Sequence, residues 1–396
     1  MHQLHRILFL AMAGWALWPL HLYNYLGFLL LVVGVLRGFS QLKPKLSVHW
    51  ITALPAFLAL LWYYMTPEMP VRASVTLTHA VHLAVMPLGL ILYRPQAKNW
   101  TRDKMHFLRV YVAAVGVAFL YFNLRIALGW EWDNPNFGTL QTHDLQTIYR
   151  NHFISFTGHH PTYFSYLGWF ATAVLAFVPE ALPRRGLRWA AILLVFSGTL
   201  ALGSRMPLMA AGVAFFVVRG KSLWSLPQFR YIFVAFGVLG FGLMYPRWEE
   251  LKALIQGDVL NSASIRLQLW ICWWQEWIQR PWWGWGTGAS LDQLQVCFEE
   301  REFYTAYDQH LNPHNQYAQW LMDWGIAGLG TLFAGAAYLW NRHRPTMFPL
   351  FRFFLVFIAL SALTESLLNR QLGIVFVGLW FSFLVLYNTP DNEESP

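Results

Sequence analysis

The chain has 396 residues, of which 56% are hydrophobic and only 12% charged, and it carries 22 Trp, 17 Tyr and 31 Phe. Repeated apolar runs with aromatic flanks exclude a soluble globular domain and read as an all-α polytopic membrane protein. The net charge of +8 is spread over short loops rather than gathered on one face. That excludes a nucleic-acid footprint and fits loops lying against anionic lipid.

In chain order, apolar runs of spanning character lie near 5–20, 22–36, 47–65, 73–93, 106–129, 161–178, 187–202, 206–218, 229–245, 316–340, 348–365 and 371–388. They predict about twelve transmembrane helices, several shorter than the roughly 20 residues a span needs, so that one pair fits a re-entrant hairpin. The first run lacks a small-residue cleavage site and is followed at once by the second, which predicts a retained helix. Arg37, Lys43 and Lys45, then Arg94, Lys98, Arg102 and Lys104, then Arg184, Arg185 and Arg188, then Arg219, Lys221 and Arg230, then Arg342 and Arg344 fall in alternate connections. By the positive-inside rule these are cytoplasmic, as are both termini. The predicted organisation is helices one to nine over 1–245, an outer loop over 246–315, helices ten to twelve over 316–388, and a short acidic cytoplasmic tail over 389–396. Residues 130–160 form a second, smaller outer segment, and no internal repeat is visible.

The outer basic residues are Arg72, Arg125, Arg150, Arg205, Arg247, Lys252, Arg266, Arg280, Arg301 and Arg370, nearly all arginine. Arginine forks two phosphate oxygens at once, whereas inner lysines need only be cationic. Arg280 and Arg301 read as ordinary surface charges. Arg205 sits in a tight break between two apolar runs, where a lone guanidinium must face protein, water or an anion. Arg266 opens a helix in the outer loop. Arg370 follows Glu365 by five residues, so a local pair and an anion-binding role, with Glu365 orienting the guanidinium, both fit.

Residues 264–280 read as a helix lying in the membrane interface, crowded with Trp270, Trp273, Trp274 and Trp277 and ended by Pro281. In the following Pro281-Trp282-Trp283-Gly284-Trp285-Gly286-Thr287-Gly288, an aromatic belt is favoured over stacking on sugar rings. With no lysine after and no strand before, the glycines do not make a nucleotide site. Cys272 and Cys297 could pair in an oxidising compartment, although spacing alone cannot bring their Cα atoms together.

The sharpest feature is Asn312-Pro313-His314-Asn315-Gln316-Tyr317, where an apolar run begins. Asn312 as N-cap and Pro313 as first helical residue would put His314 in the first turn. The positive helix end there favours a neutral ring able to accept a proton, and it attracts phosphate. An interfacial histidine reaching for water fits the spacing equally well. His310 lies four residues earlier, but Pro313 between them argues against a metal pair, and no metal or cofactor is expected. His159-His160-Pro161 reads as a polar cap. Asp323 lies too deep to touch His314, and Gly325, Gly328 and Gly330 read as sites of close helix packing.

The run Pro313-His314-Asn315-Gln316-Tyr317 through Trp324-Gly325-Ile326-Ala327-Gly328-Leu329 resembles the signature of the O-antigen ligase and polymerase superfamily. Ser204-Arg205, the block from Arg266 to Trp270 with Pro281–Gly288, and Thr364-Glu365 with Arg370 resemble further family segments, covering about residues 155–388. The resemblance implies a bacterial inner-membrane glycosyltransferase whose donor is a glycan on undecaprenyl diphosphate and whose long loop faces the periplasm. Carried onto this sequence, it makes His314 the base on the acceptor hydroxyl. Arg205 and Arg266 become the diphosphate clamp. Apart from that carry-over, Arg370, Asn315 and Arg125 read as candidate substrate contacts and Glu365 as an orienting group. Met206 departs from the small residue many members place after Ser-Arg. Lipid A–core, another glycan and a protein hydroxyl compete as acceptors. The single dominant outer loop and the compact C-terminus favour the ligase, with lipid A–core as acceptor, membrane lipid around it, and no nucleotide. A transporter would instead place paired ionisable residues in mid-span and show half-repeats.

Overall fold

A computed structural model describes residues 2–17, 20–38, 53–65, 73–93, 100–128, 160–224, 262–343 and 349–388. The described residues are mainly helical, without strands. In chain order the helices are α1 (His2–Ala13), α2 (Leu20–Gly38), α3 (Leu54–Met65), α4 (Ala73–Tyr93), α5 (Trp100–Ala127), α6 (Pro161–Phe177), α7 (Arg185–Ala201) and α8 (Arg205–Trp224). Then come α9 (Ser262–Trp277), α10 (Ala289–Glu300), α11 (Tyr304–Gln309), α12 (Gln316–His343), α13 (Pro349–Ala362) and α14 (Gln371–Asn388). The predicted run at 229–245, most of the 130–160 segment, the start of the outer loop before Ser262 and the acidic tail lie outside the described residues. So do Arg72, Arg150, Arg247 and Lys252. Among the described helices, one stretch, Trp100–Arg125, is both long and apolar enough to cross a membrane by those measures alone.

The main bundle is packed by aromatic rings. Phe170 of α6 and Tyr111 of α5 meet Trp380 of α14 at centroid distances of 4.5 and 4.4 Å, and Phe107 stacks on Phe383 at 4.5 Å. Such ring pairs add energy beyond their buried area. Two buried hydroxyls of α6 turn back onto their own helix: Ser165 donates to Pro161 O at 2.9 Å and Thr172 to Gly168 O at 3.0 Å. Their burial therefore leaves no hydrogen-bonding group unmet.

The contacts also fix helix directions. Tyr166, Phe170 and Phe177 pair with Phe357, Phe354 and Phe353, so α6 and α13 run antiparallel. Tyr111 OH donates to Leu167 O at 2.8 Å while Phe119 meets Phe164, so α5 is antiparallel to α6. Trp169 meets Phe196 and Arg188 donates to Pro179 O, so α7 is antiparallel to α6 as well. The end of α5, the start of α6, the α7–α8 turn and the end of α13 consequently share one end of the bundle. Elsewhere, α1, α4 and α5 are tied by buried Asp103, which receives Arg6 Nε and Tyr93 OH, each at 2.7 Å. A buried carboxylate with two strong donors, in the first turn of its own helix, is well placed.

One predicted span is not continuous. Gly325 has φ +64° and ψ −169°, which breaks α12 after Trp324. The run 316–340 is thus a short entering helix followed by a longer one.

Candidate functional site at one end of the bundle

Two asparagines shape the backbone around His314. Asn312 Oδ1 accepts from His314 N at 2.9 Å, closing a side-chain turn. Asn315 Oδ1 accepts from Tyr317 N at 2.9 Å and Ala318 N at 3.1 Å. Asn315 is therefore the N-cap, and the helix begins at Gln316 rather than at Pro313. His314 has φ +50°, a left-handed conformation that no residue inside a helix turn adopts. This corrects the expected placement of His314 in the first turn: the ring stands just ahead of the helix. It also gives the Asn315 oxygen, expected to meet substrate, a capping duty.

His314 Nδ1 lies 3.7 Å from Glu365 Oε2, with both side chains partly exposed. A local pair with Arg370 is one of the two readings the sequence allows for Glu365; among the described residues its ion-pair contact is with the histidine. Arg370 itself is exposed at the start of α14. Tyr163, in the first turn of α6, lies in the fields of both Glu365 and Arg370, and its ring is 6.1 Å from His160, the N-cap of α6.

The other expected residues come to the same end. Trp270 Nε1 donates to Pro313 O at 3.2 Å, which pins α9 beside His314. Arg266, one turn earlier on the same face of α9, is half-buried. Arg205 is the first residue of α8, immediately after the turn that closes this end of the bundle. Arg125 is half-buried in the last turn of α5, at that end too. His310 is turned away, its Nδ1 3.0 Å from Gln295 Oε1.

The segment Pro281–Gly288 packs against the break in α12. The break at Gly325 frees backbone groups, and the loop takes them up. Trp285 N donates to Met322 O at 2.7 Å and Gly286 N to Asp323 O at 3.0 Å, while Ile326 N donates to Pro281 O at 2.9 Å and Ala327 N to Trp282 O at 3.0 Å. Gly284 has φ +70°, and a Cβ on it would enter the Met322 and Asp323 carbonyls; a Cβ on Gly325 would enter the backbone of Trp282 and Trp283. Only glycine allows this approach. Asp323 is buried among the Ser290 hydroxyl, Gln319 Nε2 and Gly288 N. Gly325, read from sequence as a packing residue, is thus a designed break.

The tryptophans divide into two sets. Trp273, Trp285 and Trp324 donate their indole N–H to Ala318 O, Glu276 O and Thr287 Oγ1 at 2.8–2.9 Å. Trp62 of α3 donates to Trp283 O at 2.6 Å, tying the loop to the bundle. Leu267, Trp270, Ile271, Trp274 and Ile278 form an exposed apolar stripe along α9, and Trp282 and Trp283 are exposed beside it. Cys272 and Cys297 form a disulfide, with Cα atoms 5.7 Å apart, inside a small core of Leu269, Leu294, Phe298, Ala306 and Met322. Arg280 lies over the Trp285 ring at 4.3 Å, and Arg301 donates to Gln275 Oε1 at 3.0 Å. Burial, reinforced by Glu300, pushes the Glu276 carboxyl upward.

The arrangement offers a histidine with a carboxylate beside it, and arginines at the same end of the bundle: groups that can take a proton and hold an anion. The fragments that resembled family segments in sequence here occupy one end of the bundle. A comparison with curated proteins finds no match. Residues 190–333, which include Arg205, Arg266, His314 and Asn315, match the family model described as O-antigen ligase. Over that stretch the chain is similar to the O-antigen ligase family.

Proposed function

We propose that the protein is an O-antigen ligase of the bacterial inner membrane. It transfers a preassembled glycan from undecaprenyl diphosphate to a sugar hydroxyl of lipid A–core on the periplasmic side. The observation that carries the reading is the His314–Glu365 pair on the same end of the bundle as Arg205, Arg266 and Arg370. Glu365 faces Nδ1, which leaves Nε2 to accept the acceptor's proton. The hydroxyl oxygen then forms its bond to the anomeric carbon while the bond from that carbon to the phosphate oxygen breaks. The electron pair leaves on undecaprenyl diphosphate and the proton on His314. A single displacement of this kind inverts the anomeric centre. The leaving group departs as an anion, so fixed guanidinium charge aimed at it supplies the main stabilisation. The mechanism uses no metal.

In this reading the membrane is crossed about twelve times, both termini are cytoplasmic, and 246–315 is the periplasmic loop between helices one to nine and helices ten to twelve. The disulfide supports an oxidising compartment for that loop. The exposed stripe of α9 supports contact with the lipid interface.

Purified protein with an undecaprenyl-diphosphate-linked glycan and lipid A–core tests the reading. His314→Ala is expected to lose about 10²–10⁴-fold in rate. Lys at Arg205 or Arg266 should rescue poorly, because a point charge cannot reproduce the fork. Transfer should survive chelators. Near-wild-type transfer by His314→Ala would refute the base, and an absolute divalent-metal requirement would refute the metal-free mechanism. A gene deletion should leave lipopolysaccharide ending at the core while carrier-linked polymer accumulates. Core bearing one repeat unit would identify a polymerase instead.

A further inference from the structure

Glu365 sits on a short irregular connection between α13 and α14. Its own backbone bonds are local: Glu365 N donates to Ser361 O at 3.1 Å and Asn369 N to Ser366 O at 3.0 Å. Such turns shape the connection but do not say where it lies relative to His314. Two glutamines of the entering part of α12 do. Gln316 Oε1 accepts from Leu368 N at 2.7 Å, and Gln319 Oε1 accepts from Asn369 Nδ2 at 3.2 Å. Gln319 is held in turn, its Nε2 donating to Ser290 Oγ at 2.7 Å and to Asp323 Oδ2 at 3.2 Å. Both glutamines are 2% exposed. A buried amide is costly unless its partners are supplied, and here they are supplied by the two segments that flank the site, α10 and the 365–370 connection. His314 and the glutamines share one short stretch of chain, so a tie from Gln316 and Gln319 to Leu368 and Asn369 also fixes Glu365 against His314.

We propose that Gln316 and Gln319 are positioning residues that hold the 365–370 connection in register, so that Glu365 faces the His314 ring. The assignment rests on the reading of His314 as the base. Its distinctive consequence is that the glutamines act through Glu365. In the purified transfer assay, Gln316→Met should lower kcat about 10-fold or more, as misplacement of a working group does, with KM for the undecaprenyl-diphosphate-linked glycan kept within about twofold. Once Glu365 is already Gln, adding Gln316→Met should cost no more than about twofold further, because the group being positioned is gone. Asn369→Ala, at a half-buried position, cuts the second tie and supports the same cycle if Gln316→Met does not accumulate. Losses that multiply in the double variants, wild-type kcat in Glu365→Gln, or wild-type kcat in both Gln316→Met and Asn369→Ala would each overturn the proposal. These results are separable from failure of the proposed function, which full transfer by His314→Ala would signal.

Discussion

The aromatic bundle and the segment from Ser262 to Ala327, the outer segment of the sequence-based topology, are stabilised in different ways. In the bundle, rings from α5, α6, α13 and α14 interlock, and Ser165 and Thr172 donate to carbonyls of their own helix. Rings packed this closely contribute energy beyond their buried area, so the bundle rests on interlocking side chains. The outer segment has a small apolar core, and below a certain size such a core cannot hold a fold alone. It is held by a disulfide, indole N–H donors and a backbone exchange between loop and broken helix. The site lies where the two meet: the bundle contributes Arg205 and Glu365, the outer segment Arg266 and His314.

The sharpest way to break this contrast is to put a side chain on Gly325. Gly325→Val puts a branched side chain into the Trp282 backbone at a positive φ and should cost more than about 4 kcal/mol, enough to eliminate monodisperse protein in detergent. In the bundle, Gly116→Ala meets nothing within 4 Å and should leave the yield unchanged. Next in size, Cys272→Ser should weaken the outer segment by about 3 kcal/mol. Limited proteolysis should then cut within 262–327 while bundle fragments persist; simultaneous collapse of both would show that the two are one cooperative unit. Trp273→Phe keeps a ring but removes the donor to Ala318 O, for an expected loss of about 1 kcal/mol in the same proteolysis assay. The smallest effect is at Glu276. Its carboxyl is pushed upward, so the folded chain binds that proton more tightly than the unfolded chain, and its cost to stability grows as pH rises through the shifted range. Glu276→Gln should therefore raise the melting temperature slightly at about pH 7, with the gain shrinking towards about pH 4, near the ordinary carboxylate range.

The sequence was most legible where one periodicity governs. Helices coincide with the predicted apolar runs wherever those runs are described, and the helix before Pro281 lies where the tryptophans and Pro281 put it. The break at Gly325 was hidden because apolar residues continue through it and a lone glycine is common in membrane helices. What shows it is the fit of Pro281–Gly286, some forty residues away in the chain. The cap at His314 was misread because two asparagines compete for it, and hydrogen bonds rather than spacing decide between them. The partnership of His314 with Glu365 is tertiary, and no local pattern announces it. Gln316, Gln319 and Asp323 did leave a trace: at i, i+3 and i+7 they form a polar stripe on one face of an apolar helix.

The broken helix also bears on how the chain is made. A break exposes carbonyl and amide groups the moment it leaves the ribosome, and in lipid such groups have no water to turn to. Every backbone partner recorded for Met322 to Ala327 across the break lies between Pro281 and Gly286, earlier in the chain. Because domains form in order of synthesis, the strip that caps the break is already present when the break emerges. The ties to Leu368 and Asn369 come last. If folding follows the order of synthesis, the strip that caps the break precedes it, and the ties that set Glu365 beside His314 form last.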